Sequence, residues 1–237
     1  KCGPASGPRN IFTQPPAIEP ITGYLPRFKP SGGGSMKGPF VAQYHLVQTS
    51  GAGATSRSRA SGSLSVSFAD AICTTKETRG GRPASVVRNR IRCGGDLNAA
   101  RKWFLKSSVT GATDLGFAES GTWDGKQMIV KSSSWTQTRA TSHPLIAQWA
   151  LLGLLASGKF KTKPLQFDML DNSTLRADQT LSYTGQVEVP VAKGKIKLDC
   201  SSQTGYGVLP IHYLVDDAGV VQLITQEAVN YALAKLG

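Results

Sequence analysis

The chain has no run of about 18 apolar residues, which excludes a helix that crosses a bilayer. Its most apolar stretch, residues 145–156, is interrupted by Gln148 and Gly153 and suits a buried helix. It has four cysteines, Cys2, Cys73, Cys93 and Cys200, with no C-x-x-C pair among them. The three histidines, His45, His143 and His212, lie far from any cysteine in sequence, so no zinc site is expected. There is no G-x-S-x-G elbow for a nucleophilic serine. The glycine-rich segment 51–56 lacks the G-K-[ST] ending of a phosphate loop. Asp168, Asp171 and Asp178 do not have the spacing of a calcium loop. Neither metal, cofactor nor catalytic residues are expected from these patterns.

Acidic residues are also scarce, but only in one part of the chain. The first 110 residues hold 16 Lys/Arg against four acids, Glu19, Asp70, Glu77 and Asp96. The remaining 127 hold 11 of each and balance. The whole net charge of +12 therefore belongs to the first half. Such asymmetry points to one side of the molecule meeting something anionic.

Residues 1–39 contain eight of the 13 prolines and end in a Pro-Ser-Gly-Gly-Gly-Ser run. With few backbone donors, this stretch reads as an extended arm. Phe12, Tyr24 and Phe28 punctuate it and are candidate anchors on a partner. Residues 40–237 read as one antiparallel β-rich domain. Residues 61–68 alternate, with Leu64, Val66 and Phe68 on one face and serines on the other. Residues 86–93 put Val87, Ile91 and Cys93 inward and Arg88, Arg90 and Arg92 outward. Residues 96–106 fit either a helix or a strand. Further strands are expected at 128–132, 165–170, 181–189, 195–200, 208–215 and 220–224. Two helices are expected, at 142–158 with Ser142 as cap and at 226–236 with Thr225 as cap. The expected fold is mainly β: a curled antiparallel sheet or open barrel, two helices and the arm.

Arg88, Arg90 and Arg92 at strand spacing would line up about 7 Å apart. With Arg101 and Lys102 they form the candidate partner-binding stripe, suited to phosphate or carboxylate groups. A lipid headgroup surface, an acidic polymer, an acidic protein or a larger assembly would fit. Only Trp103 and Phe104 lie near the stripe, which argues against nucleic acid, since stacking on bases needs interleaved aromatics. His212 and Asp216 share one strand and its turn, about 13 Å apart along it. They read as sheet residues rather than as a catalytic pair; a hydrolase would need a Ser or Cys within reach of the His212 ring. The cysteines read either as one or two disulfides in an exported protein, with Cys73 and Cys93, which flank a hairpin, the preferred pair, or as free buried thiols in a reduced compartment.

Three features of the second half carry a resemblance. They are the Gly121-Thr122-Trp123-Asp124-Gly125 run, the apolar segment 144–155, and the hairpin Pro210-Ile211-His212-Tyr213-Leu214-Val215-Asp216-Asp217-Ala218-Gly219. Over about residues 121–234 the chain resembles a class of exported bacterial proteins of unknown function with a curled antiparallel sheet. In that class the last strand pair reads P-x-x-Y-x-x-D-x-x-G. The resemblance implies export (periplasmic, cell-surface or extracellular), with a signal peptide removed, and a non-enzymatic role; the residues themselves leave a cytoplasmic location open. The expected function is an accessory or structural subunit that docks on an anionic partner or envelope assembly. The alternative is a carrier that holds a lipophilic small molecule in the sheet.

Overall fold

The structure is a computed structural model and describes residues 34–50, 57–191, 194–226 and 228–237. Phe12, Tyr24, Phe28 and Cys2 lie outside the described residues. Alternation carries most of the chain into strands. β1 (Phe40–Ser50), β2 (Arg57–Ala69), β3 (Ile72–Arg79), β4 (Ser85–Gly94) and β5 (Ala99–Val109) form an antiparallel meander. β6 (Ala112–Trp123), β7 (Gln127–Lys131) and β8 (Thr136–Ala140) continue it. Then come the short β9 (Leu145–Ala147), a 3-10 turn (Gln148–Ala150) and the helix α1 (Leu151–Ala156). β10 (Leu165–Asp171), β11 (Thr174–Val191), β12 (Gly194–Gly205), β13 (Ile211–Val215), β14 (Val221–Gln226) and β15 (Val229–Leu236) complete the chain.

β15 pairs with both β14 and β1 and closes a barrel of 12 strands, β1–β5 with β9–β15. Two expectations are corrected by this one segment. The sheet is closed rather than an open curl, and the expected terminal helix is a strand. Without β15 the edges of β1 and β14 would carry unpaired backbone groups, and satisfying both outweighs the helical preference of Ala232, Leu233, Ala234 and Lys235.

The seam lies elsewhere. β5 meets β9 at Ala99↔Ile146 alone, and β9 runs parallel to β10 for three residues. From Lys102 onward β5 pairs with β6 instead, so β6–β8 leave the barrel as a flap. Gly121 permits this crossing: a Cβ there would lie 2.0 Å from the ring of Trp103, its partner on β5.

A barrel of 12 strands has room for a lumen, and residues 148–156, directly after β9, fill it. The 3-10 turn touches β3 and β10, and α1 touches β14, three walls on different sides of the barrel. The Trp149 ring meets Tyr231 edge-on at 5.0 Å. Leu151, Leu152, Leu154 and Leu155 are all buried, as is Met36 just before β1. The expected helix over 142–158 is therefore shorter, and among the described residues α1 is the one α-helix. Its first part is extended because the Ser142 and His143 amides donate to the Asp168 carboxylate, which leaves Ser142 no capping role.

A second, smaller core lies outside the barrel wall. The β11–β12 hairpin kinks at Gly185 (φ 113°), where the register shifts. Val189, Leu198 and Cys200 pack there with Leu214, Leu223, Ala232 and Val47. These positions alternate with Tyr213, Ile224 and Tyr231, which face the lumen core.

The disulfide expectation is also corrected. Cys73, Cys93 and Cys200 are free and buried. The register sets Cys73 opposite Ile91 and Cys93 opposite Ala100. Cys73 and Cys93 are thus diagonal neighbours, about 7–8 Å apart between Cα atoms, at or beyond disulfide reach. Burial pushes the Cys93 thiol up to about 11 and Cys73 higher, so both stay protonated.

Candidate functional site

The pairing of β3 to β7 turns a sequence stripe into a surface. Arg88, Arg90 and Arg92 all point outward and are exposed, while Asn89, Ile91 and Cys93 point in. Three rows cross the strands on the outer side. One runs Lys76–Arg88–Lys106. The next runs Thr74–Arg90–Phe104–Ser120–Lys131. The third runs Arg92–Lys102–Thr122. Seven cations and no acid occupy these rows, over about 20 Å across the strands and 14 Å along them. Phe104 stands near the centre and is 50% exposed.

The nearby acids are turned away. Glu77 points to the inner side of β3 and pairs with Arg79. Asp70 and Asp96 sit in turns at the strand ends. The ion pairs among the described residues use other side chains, so these seven cations have none. Like charges directly opposite one another across strands are destabilising. Lys76, Arg88 and Lys106 in one row and Arg92 beside Lys102 in another therefore repel one another across the strands. Neighbours about 5–7 Å apart lie within one Debye length at physiological salt, so their fields add.

Of the five cations expected to bind a partner, four share this face. Arg101 does not. It is the residue left without a partner at the β4–β5 register shift, and its guanidinium sits 4.8 Å above the Trp123 ring. Lys106 and Lys76 belong to the same basic segment, but Phe104 and Lys131 join the face only through strand register. The alternation of residues 102, 104 and 106 is a sequence signal that could have found Phe104; none marks Lys131.

The His212 neighbourhood is different in kind. A serine does lie within reach: Ser202 Oγ is 2.8 Å from His212 Nδ1. Both residues are buried, and the two cavities described below are not lined by either. Asp216 does not orient the ring. It accepts from the Val220 amide and from Gln222 Nε2, which fixes the β13–β14 turn. Burial holds His212 below its ordinary value. The unfolded chain therefore takes up a proton that the folded chain resists. Stability should be full above about pH 6.5 and fall as pH drops from there toward the lowered folded value. Thermal melts between pH 7.5 and 5 should show this loss, and His212→Asn should flatten it; a melting temperature independent of pH in wild type would contradict the assignment.

Two depressions are lined by described residues. One, of about 260 Å³, lies beside Lys161, Asp199 and Asp216. Burial raises the Asp199 carboxyl, but contacts from Lys161, Gln186 and Tyr183 outweigh it and hold the group below the usual carboxylate range. The other, of about 750 Å³, is a groove between the flap and the β10–β11 turn. Among the described residues no group of His, Cys, Asp and Glu is placed to hold a metal ion.

The chain matches no family model and no curated protein. A solved structure stands among those similar in fold. It is the crystal structure of a β-barrel-like protein of domain of unknown function DUF1849 from Brucella abortus, with a TM-score of 0.57 and 14% identity. The match covers 84% of this chain and 97% of that one. At this identity the likeness concerns the barrel alone.

Proposed function

We propose that this protein is a non-enzymatic accessory subunit that docks through the outer face of β3–β7 on an anionic surface, best matched by lipid headgroups. The observation that carries this reading is the array of Lys76, Arg88, Arg90, Arg92, Lys102, Lys106 and Lys131 around Phe104, none of them in an ion pair among the described residues. A planar array of phosphates matches a two-dimensional array of cations better than a single acidic peptide would. An exposed aromatic amid them can enter the headgroup boundary. An exported compartment, which the sequence resemblance implies, would suit this role, and the arm would add contacts there.

The test is co-sedimentation with vesicles of anionic phosphatidylglycerol mixed with phosphatidylcholine, against pure phosphatidylcholine. Each basic residue near such a surface contributes about 1 kcal/mol. Replacing Arg88, Arg90 and Arg92 by serine should then weaken partitioning roughly a hundredfold. About 0.5 M salt should release the wild type. Equal binding to neutral vesicles, or unchanged binding of the triple variant, would refute the reading. Retention on an acidic polysaccharide without any vesicle binding would move the partner from lipid to polymer.

The alternative, a carrier for a lipophilic small molecule, draws support from the barrel. The packed Trp149–Leu155 segment argues against it, because a ligand would have to displace those side chains.

A further inference from the structure

Seven large apolar side chains are exposed among the described residues, and three of them converge on the groove beside the flap. Phe117 and Glu119 are two apart on β6, and Gln137 and Arg139 are two apart on β8, so each pair projects to one side, and Trp135, just before β8, lines the same groove. Tyr206 closes the opposite rim and is 83% exposed. This is the inner side of the flap, away from the cationic rows.

The groove's charge differs from that face. Glu119 and Asp171 are matched by Arg139 and Arg176, and Arg176 donates to Asp171 at 3.4 Å. The site is neutral overall yet rich in planar hydrogen-bonding groups. Its far wall is held in place from within. Asn89 donates to Asn172 at 2.8 Å, and the Trp103 indole donates to Ser173 at 3.3 Å. A pre-formed wall reduces the ordering cost of binding.

Exposed aromatic faces set beside carboxylate, amide and guanidinium edges suit a ligand with apolar C–H faces and a rim of hydroxyls. We propose that this groove binds a short neutral glycan. Trp135, Tyr206 and Phe117 supply stacking platforms, and Glu119, Gln137 and Arg139 hydrogen-bond the hydroxyls. A fatty ligand would leave those polar groups unpaired, at a cost. An anion would gain nothing from a balanced set of charges. The site is independent of the docking face, so the two can fail separately.

The experiment is titration of the whole chain with maltotriose, cellotriose and tri-N-acetylchitotriose. It would be followed by calorimetry and by tryptophan fluorescence, to which Trp135 is exposed. One of the three should bind, and its affinity should be the same in 0.5 M salt as in low salt. Trp135→Ala and Tyr206→Ala should each weaken binding about tenfold or more, the equivalent of about 1.4 kcal/mol. Phe104→Ala, on the other side of the sheet, should leave it unchanged. Both groove positions are exposed, so the variants should melt as wild type does. Failure of all three trisaccharides to bind at millimolar concentration, or binding indifferent to both groove substitutions, would overturn the proposal.

Discussion

Replacement of Trp149 by alanine is expected to lower the unfolding free energy by about 3–5 kcal/mol, the range for deleting a buried tryptophan. The indole is 6% exposed and packs against Tyr231 across the lumen. No neighbour can move in to replace it, because the surrounding walls are strands held in register on both sides. Urea unfolding should show a lower midpoint with an unchanged slope. A loss below about 1 kcal/mol would mean that the segment is loosely seated. The same variant bears on the carrier reading. The vacated space is apolar and enclosed, so a hydrophobic dye should bind the variant and not the wild type. Stoichiometric binding of a lipophilic ligand by the wild type, with Trp149 in place, would instead favour the carrier.

What could be read from the sequence follows from which strands have one buried face. β2 shows its alternation because Leu64 and Val66 face the core while Ser63, Ser65 and Ser67 do not. β4 does so for the same reason, and its arginine stripe was legible with it. β6 and β8 were not legible. They belong to a flap outside the barrel: Leu115 and Phe117 are exposed on β6, and every residue of β8 is exposed. A strand without a core has no period to detect. The lumen segment misled in the opposite way. Burial on all sides erases the amphipathic stripe that separates a helix from an extended segment, so its first turn could not be told apart from β9. The candidate face was half legible. Spacing along one strand predicts Arg88, Arg90 and Arg92, but Phe104 and Lys131 reach the same surface only once five strands are in register.

The second large effect should come from Asp168, whose type gives no hint of its place. It is fully buried on β10 and has no cationic partner among the described residues. Its carboxylate is satisfied by backbone alone. Oδ2 accepts from the amides of Ser142 and His143 at 2.8 and 3.1 Å, and Oδ1 from Asp178 at 2.9 Å. One side chain thus ties the start of the lumen segment to β10 and β11, where the barrel is joined by only three parallel residue pairs. Asp168→Ala removes the acceptor of three part-buried amides, and because Ser142 and Asp178 are exposed residues water can reach some of these donors, so a loss of about 2–3 kcal/mol is expected. Asp168→Asn should be nearly as damaging, because its NH2 would face amide donors where an oxygen is needed. Hydrogen exchange distinguishes this role from general destabilisation: the Ser142, His143 and Asp178 amides should exchange faster while those of β2 and β3 remain protected. Uniform acceleration across the barrel, or a silent Asn variant, would contradict it. Because Asp168 and Trp149 secure the same segment, their combined substitution should cost less than the sum of the two. Strict additivity would mean that the seam and the lumen filling are independent.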